Sequence, residues 1–266
     1  MRIYALAVYA FLYLPIGIIA LFSFSAGRSA SQMQGFSTGW YAKALGNPFV
    51  VDALKTSASV ALTSALLSCL FGTMAALALT GLKGRVRTIF DAMIYIAVMI
   101  PGIVIGIATL IALVTVFDAV NPWVQAATGW RLSLGFGSLV GAHVLFTMSL
   151  VIILVRARIE GMDRALIEAS SDLGAGPVAT FRQVTLPLLA PAVFAGFLLS
   201  FTFSFDDFII AFFVAGPETT LPIYIFSSIR RGVTPEINAI GTMVIAVSLI
   251  LLIVAEFTLR RGKPAA

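Results

Sequence analysis

Six long apolar runs separated by polar stretches divide the chain, at approximately residues 4–24, 57–80, 89–117, 138–155, 190–215 and 237–257. Each holds about 18 to 29 residues, and at about 1.5 Å of helical rise per residue that crosses a hydrocarbon layer of about 30 Å. The pattern predicts an all-α, polytopic membrane protein with six transmembrane helices and a single transmembrane domain over residues 1–266, its core spanning 57–258. The first run follows Arg2 and has the outline of a secretory leader. Its length favours an uncleaved span, against a weak alternative offered by the small residues at 23–26.

The stretch 163–191 (DRALIEASSDLGAGPVATFRQVTLPLLAP), between the fourth and fifth runs, is polar and has local structure of its own. Asp163 suits a helix N-cap, and Leu166, Ala169, Ser170 and Leu173 recur at helical spacing. Gly174 and Gly176 suit a left-handed C-terminal stop, and Pro177 the first turn of a second short helix. Leu186-Pro187 is expected to end that helix, because proline withdraws a backbone donor and redirects the chain. A helix–glycine–helix hairpin at a membrane face is a docking surface for a soluble partner.

Other breaks are weaker. A short surface helix is expected at 39–45, with Trp40 and Tyr41 at the membrane interface. The second run carries Ala61, Ser64, Ala65, Ser68, Gly72, Ala75 and Ala76 at helical spacing, which reads as close helix packing. In the third run, Pro101-Gly102 and Gly106 mark either a packing kink or a broken helix beside a transport path. Asp118, Asn121-Pro122 and Gly129 are expected to form an outer loop. A short outer helix is expected at 221–232, and Thr234-Pro235-Glu236 opens the last span.

Composition agrees with the pattern: 60% of the 266 residues are hydrophobic, 11% are charged, and the mean hydropathy is +1.04. A soluble domain carries about a quarter charged residues. Cys69 is the single cysteine, which excludes an internal disulfide framework or a cysteine metal cluster. His143, the single histidine, reads as a packing residue. The net charge of +5 belongs to membrane edges rather than to nucleic acid. With the N-terminus inside, eleven Lys and Arg fall on inner segments and six on outer ones, which places both termini and the loop 156–189 in the cytoplasm. The chain has no phosphate-cradling loop, no metal-ligand pair and no nucleophile–histidine–acid set. No cofactor is expected, and any ATP hydrolysis would be the work of another polypeptide.

Glu168-Ala169-Ser170, Gly174, Val184, Leu186-Pro187 and Pro191 resemble the EAA loop of ABC importer membrane subunits. The one departure is Ser170 where the family has alanine. The resemblance implies a type I importer transmembrane domain. In it Glu168, Ala169, Ser170, Asp172, Leu173 and Gly174 form a coupling helix lodged in a groove of a cytoplasmic ATPase. The stretch 204–239 and the helix at PGIVIG are similar to membrane subunits of spermidine/putrescine-type importers, although permeases for opines, phosphonates and iron share much of it. The implied assembly, in a bacterial cytoplasmic membrane, has a second permease, two ATPases and an extracytoplasmic solute-binding protein, with membrane lipid around it. Two readings rival it: a secondary transporter, which leaves the EAA-like loop unexplained, and a membrane-embedded enzyme, for which only Asp206-Asp207 is available as an acidic cluster.

Asp206 and Asp207 stand in the fifth run among Phe203, Phe205 and Phe208. An ionised carboxylate facing lipid costs several kcal/mol, so at least one is expected to face protein or water. Two readings stand. Either the helix ends near Phe205 and both carboxylates are interfacial, or one lines a substrate pathway with Phe203 and Phe208 while the other caps backbone or pairs with a base.

Overall fold

A computed structural model describes residues 2–27, 32–163 and 165–261. Arg28, Arg164 and the tail from residue 262, which enter the orientation count, lie outside them. The described residues are helical apart from short connections and one isolated antiparallel bridge between Ser25 and Phe36. The chain divides into two compact units, residues 1–55 with 221–266 and residues 56–220.

The first unit contains α1 (Arg2–Phe22), α2 (Gly39–Gly46), the opening turns of α3 (Pro48–Thr80), α11 (Leu221–Arg231) and α12 (Pro235–Arg261). The short helices expected at 39–45 and 221–232, and the start of the last span at Pro235, are all observed. Polar groups hold this unit together. Tyr41 Oη and Ser23 Oγ lie 2.6 Å apart, and the Trp40 indole donates to the Ser25 carbonyl at 2.9 Å. The Asn47 amide donates to Glu236 Oε1 at 2.9 Å and to the Tyr224 hydroxyl at 3.2 Å, which joins the turn before α3 to α11 and α12.

The second unit contains α3 from Thr56 on, α4 (Gly84–Met99), α5 (Gly102–Thr128), α6 (Phe136–Glu160), α7 (Ala165–Asp172), α8 (Pro177–Thr180), α9 (Leu186–Asp206) and α10 (Ile209–Val214). Its core forms around α6, whose Leu139, Val151 and Val155 are fully buried and which packs on α9, α4 and α10. The small-residue face of α3 lies here. Ser68 Oγ is 2.7 Å from Thr147 Oγ1, and a Cβ on Gly72 would come within 2.9 Å of Val151. Helices in lipid gain contact by bringing backbones together over such residues. Cys69 is buried beside α9, with its thiol directed at the Val193 carbonyl.

The helices α1, α3, α5, α6 and the run Pro177–Asp206 are long and apolar enough to cross a membrane, and α12 adds a shorter apolar stretch, Pro235–Ile250. The third apolar run is a broken helix rather than a kinked one: Ile100 and Pro101 are extended (ψ 133° and 135°) and separate α4 from α5.

Three local expectations are corrected. The loop expected from Asp118 to Gly129 is helix, because α5 accommodates Pro122 and ends at Gly129 (φ 71°). The Asn121 side chain there grips Leu132, accepting its N–H at 2.7 Å and donating to its carbonyl at 3.0 Å. Leu186-Pro187 does not redirect the chain, since α8 continues into α9 through one wide π turn, Phe181–Thr185. The Leu186 N–H bonds to the carbonyl of Phe181, five residues back. That extra residue in the turn accommodates the proline, whose ring crowds the carbonyl four residues earlier in a regular helix. Gly176 is not left-handed either. Its backbone is extended (φ −72°, ψ 165°), the ordinary conformation before a first-turn proline.

Candidate functional site

The hairpin of α7 and α8 forms at the expected residues. Asp163 Oδ1 accepts the Ala165 N–H at 2.9 Å and caps α7. Gly174 ends it at φ 79°, where the Gly174 N–H bonds to the Ser171 carbonyl (2.9 Å) and the Ala175 N–H to the Ser170 carbonyl (3.1 Å). Those two bonds are the Schellman arrangement, which satisfies the last carbonyls of a helix and needs a residue with positive φ. Ser170, the departure from Glu-Ala-Ala, places its hydroxyl 3.0 Å from Thr180 Oγ1 and so links α7 to α8.

Among the described residues nothing covers the outer surface of the hairpin. Leu173 is 89% exposed and Val178 80%, while Glu168, Ala169 and Asp172 are exposed. Behind it is a cleft of about 400 Å³ whose lining includes Leu79, Arg87, Arg156, Glu160, Glu168 and Thr185. Arg156 pairs with Asp91, and Arg87 lies 3.7 Å from both Asp91 and Glu160. The Arg158 guanidinium donates to the Leu188 carbonyl at 2.9 Å. The end of α6 is thereby tied to α4 and to the start of α9, so the hairpin springs from a braced base.

The two aspartates lie at a second break, between α9 and α10. Asp206 ends α9 and is exposed; Asp207 is extended (ψ 121°) and half-buried. Asp207 Oδ2 accepts the Ala211 N–H at 2.8 Å, which satisfies a free donor in the first turn of α10. The same oxygen lies 3.5 Å from Nε2 of His143, not aligned for a hydrogen bond. His143 is 1% exposed, and its Nδ1 lies 2.6 Å from Ser204 Oγ. Phe203 packs edge-on against Phe146 at 5.7 Å, and Phe208 against Phe212 at 5.5 Å.

Sequence reasoning read His143 as a packing residue, and its burial agrees, but its place beside the α9–α10 break was not foreseen. The available signal was an ionisable ring within an apolar span, where polar side chains are expensive and seldom idle. The apposition of α5 and α10 was equally hidden. A Cβ on Gly106 would meet Phe213 Cδ2 at 2.7 Å and Ile210 Cα at 3.3 Å, so the broken helix and α10 touch at a glycine.

Helices of membrane-spanning length, two helix breaks and an exposed helical hairpin are features expected of a transport permease subunit. The chain belongs to the family of binding-protein-dependent transport system inner membrane components, whose pattern matches residues 68–261. It is 35% identical over 255 residues to the spermidine/putrescine transport system permease protein PotC of Escherichia coli K12, covering 96% of this chain and 91% of that protein. The PotC protein of Haemophilus influenzae is 37% identical over 257 residues, covering 96% and 95%. The putrescine transport system permease protein PotI of Escherichia coli K12 is 34% identical over 258 residues, covering 96% and 89%.

Solved structures share the fold. A chain of a bacterial ABC transporter involved in the import of the acidic polysaccharide alginate superposes with a TM-score of 0.74 at 16% identity, covering 99% of this chain and 96% of that one. A chain of the inward-facing MetNI methionine ABC transporter gives 0.61 at 14% identity, covering 80% and 96%.

Proposed function

We propose that this chain is one of two permease subunits of an ATP-driven importer for a small organic cation of polyamine type. The cation is delivered by an extracytoplasmic binding protein and passes between the two permeases. Two cytoplasmic ATPases power the cycle, with α7 of this chain seated in a groove of one of them. Both termini and the hairpin are cytoplasmic, and the chain itself is not catalytic. Glu168, Ala169, Ser170, Asp172, Leu173 and Gly174 shape the docked helix, and Leu173 is the apolar contact it offers.

Asp206 carries the substrate reading. It is an exposed carboxylate at the end of a helix of membrane-spanning length, while its neighbour Asp207 is engaged with backbone. A negative charge in a protein-lined path attracts a passing ammonium group and repels an anion. Phe203 and Phe208 add apolar and cation–π surface. The relatives at 34–37% identity are named for spermidine and putrescine, which favours the same chemistry here.

The test uses proteoliposomes holding the permease pair and ATPases, with the binding protein outside, and measures uptake of labelled spermidine and putrescine. Asp206→Asn is expected to lower uptake while binding-protein affinity and stimulated ATPase activity persist. Unchanged uptake, or a cognate binding protein that takes only anions, contradicts the reading.

A further inference from the structure

We propose that His143 is a positioning residue for the substrate pathway, holding the α9–α10 break so that Asp207 serves backbone and Asp206 stays free to meet the cation. The proposal rests on the pathway reading of Asp206 and assigns a role to a side chain that reading does not use.

The geometry is specific. Ser204 and Asp207 are three residues apart, one helical turn, so they share a side of the chain where α9 ends. His143, fully buried on α6, addresses both: Nδ1 is 2.6 Å from Ser204 Oγ and Nε2 is 3.5 Å from Asp207 Oδ2. Asp207 Oδ2 also accepts the Ala211 N–H of α10. One imidazole therefore sits between the last turn of α9 and the first turn of α10. Successive helical residues point about 100° apart, so turning Asp207 towards His143 turns Asp206 away from it. Asp206 is accordingly exposed.

His143 is also more than packing. Its Nε2 is buried without a hydrogen-bond partner, an arrangement that costs free energy and that an apolar side chain of similar size would avoid. The atom lies 3.5 Å from the Asp207 carboxylate. Asp207 Oδ2 is thereby held between the Ala211 N–H and the imidazole. The imidazole is thus placed to fix which of two adjacent carboxylates faces the path.

The test reads the exposure of position 206 directly. In the full importer, Asp206→Cys is introduced with Cys69→Ser, and the rate of modification by a cationic methanethiosulfonate reagent is measured. His143→Ala is expected to change that rate by about fivefold or more, the effect of losing one buried polar contact. His143→Gln, whose amide reaches one of the two partners, should recover part of it. In an Asp207→Ala background, which removes the carboxylate that His143 faces, His143→Ala should add little. Should His143→Ala fail to accumulate, Ser204→Ala removes only the Nδ1 partner and is expected to shift the rate in the same direction.

An unchanged rate in His143→Ala, or in Ser204→Ala where the first fails to accumulate, overturns the proposal. Independent, multiplying effects of His143→Ala and Asp207→Ala do so equally. Uptake by Asp206→Asn is scored separately. If that variant transports normally, the pathway reading fails, while the thiol rates still decide whether His143 positions the break.

Discussion

Gly174→Val tests the hairpin where its geometry is most demanding. Gly174 holds φ 79°, and nothing lies within 4 Å of the place a Cβ would take. The cost of valine is therefore conformational rather than a clash. A β-branched residue held at positive φ is strained by about 1–3 kcal/mol, which lowers the population of the native turn by about five- to 150-fold. Escaping the strain means giving up the bonds from Gly174 N–H to Ser171 and from Ala175 N–H to Ser170, which leaves two carbonyls at the end of α7 open. The stability of the whole protein should change little, because the hairpin surface is exposed. Coupling should suffer, because α8 no longer leaves α7 at the angle the docked state needs. The assay is binding-protein-stimulated ATPase activity and uptake in proteoliposomes at equal permease content. Two controls make it selective. Gly174→Asn, which tolerates positive φ, should retain most uptake. Gly176→Ala should be neutral, since that residue is at φ −72° with open space around it. Full coupling by Gly174→Val, or an equal loss in Gly176→Ala, refutes the reasoning.

Three further outcomes are expected. Gly176→Cys in a Cys69→Ser background should resist an impermeant thiol reagent added outside intact cells, and labelling there would invert the topology. Gly106→Val should lower thermal stability in detergent by about 1–3 kcal/mol through overpacking against Phe213 and Ile210, with a wild-type melting curve as the contrary result. Ser170→Ala should cost about 1 kcal/mol by leaving Thr180 without its hydroxyl partner, yet support normal uptake, because alanine suits the helix interior; a dead transporter would show that the serine does more.

Sequence made the helical layout legible because each span repeats one signal many times over. The caps were readable for a related reason. Asp163, Gly174, Pro177 and Pro235 act through local backbone chemistry, which does not depend on the rest of the fold. Proline was misjudged where the surroundings change its effect. Pro187 stays in a helix because the turn before it widens, and the helix also runs through Pro122. Neither event leaves a local mark. Tertiary pairings were out of reach for the same reason. Ser204 and Asp207 lie more than sixty residues from His143, and only the packing of α6 on α9 and α10 brings them together. The EAA-like spacing singles out Glu168 and Leu173, which are exposed on the hairpin, whereas the braced base beneath them, Arg156 on Asp91 and Arg158 on Leu188, leaves no local mark.

The energy source for uptake decides the account most directly. Proteoliposomes containing this chain, its permease partner and the ATPases should accumulate labelled spermidine when ATP is inside and the binding protein outside. Omitting either should abolish accumulation, and an imposed proton or sodium gradient should not replace ATP. Accumulation driven by such a gradient without ATP would contradict the account and make the chain a secondary transporter.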